Sequence, residues 1–227
     1  MKGNSMLQFE KFIIITGHYG SGKTSFALNL VKYLTRLGRK VKLIDLDIVN
    51  PYFRSSDYSG LLDELGAALI ASDYNGSTLD IPALSPAVHS VFGGGDETVI
   101  FDVGGDDTGA VALGRYSELI KKRDYQMLYI VNHFRALTQN VDETVELMYN
   151  IEHTSQLKVT EIVNNSHLKE YTSADDILSS VSYAEEIAAK TGLPLLLTTA
   201  PVKLEGDLEG KLENMFPIEA FVKTVWE

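Results

Sequence analysis

Residues 17–24 read Gly17-His18-Tyr19-Gly20-Ser21-Gly22-Lys23-Thr24, a glycine-rich turn closed by lysine and threonine. Directly before it stands Phe12–Thr16, a compact apolar run of strand length. Directly after it, Thr24–Leu37 carries Phe26, Ala27, Leu30, Val31, Leu34 and Leu37 at helical spacing. Strand, G-x-x-x-x-G-K-T turn and helix, in that order, make a loop built to cradle phosphate. The glycines let successive backbone N–H groups turn inward around an anion. The helix start adds its own N–H groups and the positive end of its dipole. Lys23 supplies a point charge toward β- and γ-oxygens, and the Thr24 hydroxyl reaches a Mg²⁺ ion. The pattern therefore places Gly17, Tyr19, Gly20, Ser21, Gly22, Lys23, Thr24 and Ser25 at a nucleotide. A plain glycine turn with a surface lysine is the alternative, and the two flanking elements argue against it.

Short β-branched runs alternate with amphipathic segments along the rest of the chain, the signature of βαβ units on a parallel sheet. Gly38 stops the first helix. Strands are expected at Val41–Asp45, Ala67–Ile70, Val99–Val103, Gln126–Val131, Val159–Val163 and Leu195–Thr199. Helices are expected over Leu84–Phe92, Ala110–Lys122 and Gln139–Ile151, and one more from a capping box at Ser173 and Asp176 to Gly192. The reading is a single α/β domain over 1–227, a doubly wound, mostly parallel sheet of about seven strands with helices on both faces. Residues 1–10 form an N-terminal extension. Residues 205–227 form a C-terminal docking segment, with Lys211–Glu227 expected as a helix packed on the core.

Acidic residues gather where open α/β sheets bind ligands, beyond the strand ends. Asp102 follows Thr98-Val99-Ile100-Phe101 and leads into Val103-Gly104-Gly105-Asp106. Asp45 and Asp47 close the second strand, and Asn50–Arg54 follows as a first switch segment. Carboxylates crowded at a strand tip are costly without a cation. The metal set is therefore Thr24, Asp47 and Asp102, with Asp106 and Asp107 equally readable as helix caps. His89, His153 and His167 show no metal-ligand spacing, and no G-x-S-x-G elbow is present.

Composition narrows the classes further. The chain has 227 residues, 44% hydrophobic and 22% charged, an ordinary globular balance. Cysteine is absent, so no disulfide, zinc-thiolate, iron–sulfur ligand or cysteine nucleophile comes from this chain. Twenty Lys+Arg against 31 Asp+Glu leave a net charge of −11, which repels phosphate backbones and anionic lipid. Met1–Glu10 holds no apolar core of a secretory signal, and the expected location is cytoplasmic.

With these residues in view the chain resembles the MinD/ParA/Mrp-type P-loop ATPases, the group that includes the CobQ/CobB amide-forming synthetases. The likeness runs through the P-loop, the D-x-D at Asp45–Asp47, the D-x-x-G-D around Asp102 and the distal loops. It implies ATP and Mg²⁺ as cofactors, with Lys23, Asp47 and Asp106 in the catalytic set. Asp102 is implied in Mg²⁺ linkage, and Gly105 with Asp106 in sensing the γ-phosphate. Val163-Asn164-Asn165 and Thr199-Ala200-Pro201 fall where relatives hold adenine, which puts Asn164 and Pro201 in the nucleotide set. A guanine-type N-K-x-D is missing, so ATP is preferred over GTP.

One position departs from the resemblance. Relatives that hydrolyse as ATP-dependent sandwich homodimers carry a lysine right after the first P-loop glycine, and here that place is His18. A neutral imidazole lacks the lysine's fixed charge, and Arg54 or Arg135 could serve instead. The missing cysteines exclude the branches that handle clusters and metals. The acidic charge disfavours nucleic acid as a partner, and the mixed charges of the tail disfavour a membrane. The expected function is a slow ATPase that switches an unidentified partner protein. Two alternatives stand beside it: an amide-forming synthetase or kinase on the same fold, and a nucleotide-binding module with negligible hydrolysis.

Overall fold

The computed structural model describes residues 7–47, 58–71, 86–105, 107–168 and 171–221. Eight strands form one sheet in the order β3-β2-β4-β1-β5-β6-β7-β8, and every neighbouring pair is parallel. They are β1 Phe12–Gly17, β2 Val41–Leu46, β3 Ala68–Ala71, β4 Thr98–Val103, β5 Tyr125–Val131, β6 Glu161–Asn164, β7 Leu195–Pro201 and β8 Met215–Ile218. The helices are α1 Lys23–Arg36, α2 Ser59–Glu64, α3 Pro86–Ser90, α4 Asp107–Gly114, α5 Ser117–Ile120, α6 Val141–Ser155, α7 Ala174–Thr191 and α8 Glu205–Leu208.

Strand β1 sits between β4 and β5, in the middle of the sheet. The chain fills one side with β2, β3 and β4, then crosses to build β5 to β8 on the other. The carboxyl end of β1 is thus a topological switch point, where connections leave in opposite directions and open a crevice. The glycine-rich loop begins at that point.

Period-two alternation divides the side chains between two cores. Ile13 and Ile15 pack with Phe26, Leu30 and Leu34 of α1, and Leu43 and Ile100 share that face. Phe12, Ile14, Phe101 and Tyr129 face the opposite way, toward Leu113, Met148, Ile151, Tyr183 and Ile187 of α4, α6 and α7. Burying each large aliphatic side chain contributes about 1.5–3 kcal/mol, which is why β1 carries an unbroken Ile-Ile-Ile run. A parallel strand covered on both faces needs apolar groups on both.

Three sequence expectations change. The helix expected over Ala110–Lys122 is broken into α4 and α5, with Gly114 ending the first. A methyl on Gly114 would lie 3.0 Å from the Thr154 carbonyl oxygen, so α4 and α6 approach closely there. The sheet gains an eighth strand, and none of its strands is antiparallel. Within the expected tail helix the described residues hold β8 instead, an edge strand whose Pro217 pairs opposite Ala200, and residues 222–227 lie outside the described residues. Proline costs no ladder bond on an edge that faces no further strand.

Glu219, just after β8, is held against α1. Asn29 of α1 donates to the Glu219 carbonyl at 3.0 Å and accepts from the Glu219 N–H at 2.8 Å. Lys32 adds an ion pair to the Glu219 carboxylate at 2.5 Å. Among the described residues, no helix is long and apolar enough to cross a membrane.

Candidate nucleotide site

Gly17 ends β1 with φ +148°, and a side chain there would strike the Ile130 carbonyl of neighbouring β5. The chain then turns through Gly20 at φ +77° and Gly22 at φ +91°, in the region that L side chains rarely adopt. Gly22 is the N-cap of α1 and carries no capping side chain, so the turn presents backbone rather than side chain at the helix start. The cradle closes through Ser21 N–H to the His18 carbonyl at 3.2 Å and Lys23 Nζ to the same oxygen at 3.1 Å. Lys23 is 7% exposed although cationic, and Ser21 Oγ is buried without a hydrogen-bond partner. A buried cation and an orphaned hydroxyl in a ring of amides suit an incoming anion.

The second strand tip brings two carboxylates side by side. Asp45 on β2 and Asp102 on β4 are paired in register and are 3% and 1% exposed. Adjacent strands lie about 4.8 Å apart, and residues in parallel register point to the same face. Asp45 follows the parity of Leu43, and Asp102 that of Ile100, so both lie on the face covered by α1. Two carboxylates at this spacing make a favourable place for a cation. Asp47, half-buried, donates from its N–H to Asp45 Oδ1 at 3.0 Å. With the Thr24 hydroxyl, these are hard oxygen donors of the kind Mg²⁺ takes. No cluster of three or more His, Asp or Glu with metal-site geometry occurs among the described residues. Mg²⁺ needs only one or two protein oxygens when phosphates supply the rest, so the donor set fits.

The loop after β4 presses on the cradle. A methyl on Gly105 would lie 2.5 Å from Tyr19 N and 2.6 Å from Lys23 Nζ. One on Gly104 would lie 3.2 Å from Asp47 Oδ1, and one on Gly109 would strike the Gly104 carbonyl. Only glycine permits the D-x-x-G segment to touch both the P-loop and the Asp47 strand tip.

The distal loops treat the two asparagines differently. Asn164, fully buried, donates to Ser180 Oγ of α7 at 2.9 Å and accepts from the Ser166 N–H at 3.2 Å. Its amide thus points into the α7 side of the sheet. Asn165 reaches the P-loop instead, donating to the Ser21 carbonyl at 2.7 Å while accepting from Thr199 Oγ1 at 2.6 Å. Its Nδ2 occupies the space a side chain on Gly22 would need. The sequence pattern contains Asn165 but assigns the site role to Asn164. The signal that separates the pair is strand parity, since Val163 shares the α1 face with Ile13 and Ile162 does not. Pro201 lies at the end of β7, partly buried.

A model of the CobQ/CobB/MinD/ParA nucleotide binding domain matches residues 12–195. The chain belongs to this family. The matched stretch runs from the first residue of β1 to the first of β7, so this CobQ/CobB/MinD/ParA domain holds its P-loop, both acidic strand tips and the Asn165 contact inside the family's span. It is a P-loop nucleotide-binding domain of the MinD/ParA type. No curated protein matches the chain.

Solved structures of similar fold include the signal recognition particle 54 kDa protein from Aeropyrum pernix K1 in complex with GDP, at 19% identity and TM-score 0.55. That match covers 82% of this chain and 41% of the other. Cell division protein FtsY from Thermotoga maritima is similar at 20% identity and TM-score 0.51, covering 81% of this chain and 60% of that one. Chloroplast FtsY from Physcomitrella patens gives 14% identity, TM-score 0.57, and coverage of 83% and 59%. The domain thus spans about two fifths to three fifths of these neighbours' lengths, and the likeness is one of fold.

Of the expected site residues, Gly17, Tyr19 to Ser25, Asp47 and Asp102 are brought together around the β1 switch point. Asn164 is directed away from it. Asp106 and the first switch segment, Asn50–Arg54, lie outside the described residues. His18 turns its Nδ1 to the Tyr19 carbonyl at 2.8 Å.

Proposed function

We propose that this domain binds ATP with Mg²⁺ and acts as a slow ATPase that switches a partner protein. The contact of Gly105 with Tyr19 N and Lys23 Nζ carries the reading. It joins the loop beside a carboxylate-bearing strand to the atoms that would face a nucleotide's phosphates. A segment so placed must shift when the terminal phosphate arrives or leaves, and α4 begins directly after it. In this reading the cradle N–H groups and Lys23 hold the β- and γ-phosphates. Thr24 and Asp102, with Asp47 nearby, would hold Mg²⁺, which supplies charge neutralisation on the phosphate oxygens. Asp47 orients the attacking water, and Asp106 completes the sensing loop. Preference for adenine rests on the sequence, which lacks N-K-x-D; the Aeropyrum neighbour is a GDP complex.

Thermal unfolding with and without nucleotide tests this. A ligand at a hundred times its Kd stabilises by about 2.7 kcal/mol, which for a domain of this size raises Tm by roughly 5–10 °C. ATP·Mg²⁺ is expected to give that shift in the wild type and none in Lys23→Ala. Equal shifts in both proteins overturn the P-loop assignment, and a larger shift with GTP overturns the choice of base.

A further inference from the structure

The loop after β5, residues 132–138, is pinned at nearly every residue yet leaves one long cation loose. Asn132, 2% exposed, accepts from the Phe134 N–H at 3.0 Å and donates to the His167 carbonyl at 3.3 Å. The His133 N–H donates to Ser166 Oγ at 2.9 Å, and the His133 ring packs on Tyr183 at 4.7 Å between centroids. Thr138 Oγ1 donates to the Asn132 carbonyl at 2.7 Å, and the Tyr183 hydroxyl donates to the Thr138 carbonyl at 2.5 Å. Burial pushes that Tyr183 hydroxyl up to about 12, so it stays a donor at neutral pH. The backbone of Arg135 is fixed as well, its N–H on the Asn132 carbonyl and its own carbonyl taking the Thr138 N–H.

Its side chain is exposed and makes no ion pair or side-chain hydrogen bond among the described residues. It lies along the P-loop. A methyl on Gly20 would sit 3.8 Å from Arg135 Nε and 4.0 Å from Cζ. Gly20 adjoins Tyr19, whose N a methyl on Gly105 would approach to 2.5 Å. A surface arginine ordinarily ends in water, and its rotamer freedom opposes any fixed contact. Here the anchored loop has already brought the stem beside the cradle, in a chain of net charge −11.

We infer that Arg135 is a phosphate-contacting residue, its guanidinium donating in cis to non-bridging oxygens of a nucleotide held in the P-loop. The inference rests on the nucleotide-binding reading above. A planar fork of N–H donors matches phosphate oxygens in a way that the imidazole of His18 does not. Placement from a rigid loop means little reorganisation is needed when the anion arrives.

The test is calorimetric titration of ATP·Mg²⁺ into wild type, Arg135→Ala, Arg135→Lys and Lys23→Ala, with Tm measured on each nucleotide-free protein. Arg135→Ala is expected to weaken binding roughly tenfold or more, the scale of a charge-assisted contact. Arg135→Lys should recover part of that loss, since it keeps charge but loses the fork. Nucleotide-free Tm should hold, because the exposed guanidinium bonds nothing in the described fold. Wild-type affinity in Arg135→Ala, together with lost binding in Lys23→Ala, overturns the role of the arginine alone. Wild-type affinity in Lys23→Ala overturns the nucleotide reading beneath it. Should Arg135→Ala fail to fold, Arg135→Gln carries the same comparison.

Discussion

The side-chain amide of Asn165 donates to the carbonyl oxygen of Ser21 at 2.7 Å, across 144 residues of chain. The same side chain accepts from Thr199 Oγ1, so β6, β7 and the P-loop meet at one 1%-exposed group. The cradle is thereby set by a strut from the far half of the sheet as well as by its own glycines.

Asn165→Ala is expected to lower stability by about 1–3 kcal/mol, because the Ser21 carbonyl and the Thr199 hydroxyl both lose a buried partner. For a domain of this size the Tm falls by roughly 3–10 °C. Asn165→Asp, nearly identical in shape, sets an acceptor against the Ser21 carbonyl and should cost at least as much. Nucleotide affinity should fall in both variants. Thermal unfolding and a nucleotide titration on the two variants check this; an unchanged Tm in Asn165→Asp would show that the P-loop keeps its shape without the strut.

Gly105→Ala tests the coupling between the loop after β4 and the cradle. The added methyl would lie 2.5–2.7 Å from Tyr19 N, Lys23 Nζ and Tyr19 Cα. Backbone and a buried lysine cannot both yield, so the loop must move away. The variant is expected to keep its fold, with a Tm within a few degrees of wild type. Binding of triphosphate should fall by more than binding of diphosphate if the displaced loop senses a terminal phosphate, as proposed above. Paired titrations with ATP and ADP read this directly, and equal losses for the two nucleotides would remove Gly105 from the sensing role.

What could be read from the sequence follows the range of the interactions involved. The P-loop was legible because its geometry is local: glycines at fixed offsets, a strand before and a helix after. The α7 capping box was legible for the same reason, and the structure shows both of its reciprocal bonds. Strand β8 was not, because Met215-Phe216-Pro217-Ile218 is short and holds a proline, and only its place at the sheet edge makes that tolerable. The break between α4 and α5 depends on α6 packing against Gly114, a contact no local pattern encodes. The Asn164 and Asn165 pair falls between these cases. Parity along β6 assigns the two side chains to opposite faces, but which face holds the P-loop follows only once α1 is placed.

The Ser173–Asp176 capping box carries the clearest pH signature. Ser173 donates from its N–H and its hydroxyl to Asp176 Oδ2 at 2.9 and 2.7 Å, and its Oγ accepts from the Asp176 N–H at 3.2 Å. The donated bonds, the hydroxyl's first, hold the Asp176 carboxyl below its ordinary value. An acid whose folded value is depressed stabilises the fold above its unfolded pKa and loses that contribution as pH falls through the folded one. With an unfolded aspartate near 3.9, the loss begins below about pH 4 and is complete only once the folded carboxyl is protonated. The group is only partly buried, so its share of the acid limb is small. Ser173→Ala should cost about 1 kcal/mol at pH 7 as a lost N-cap, lowering Tm by roughly 2–4 °C. Its deficit against wild type should shrink as pH drops below 4, because protonation of Asp176 weakens the same box in the wild type. Tm measured on both proteins from pH 7 to pH 3 decides it: a gap that stays constant throughout would show that the carboxylate adds nothing to the cap.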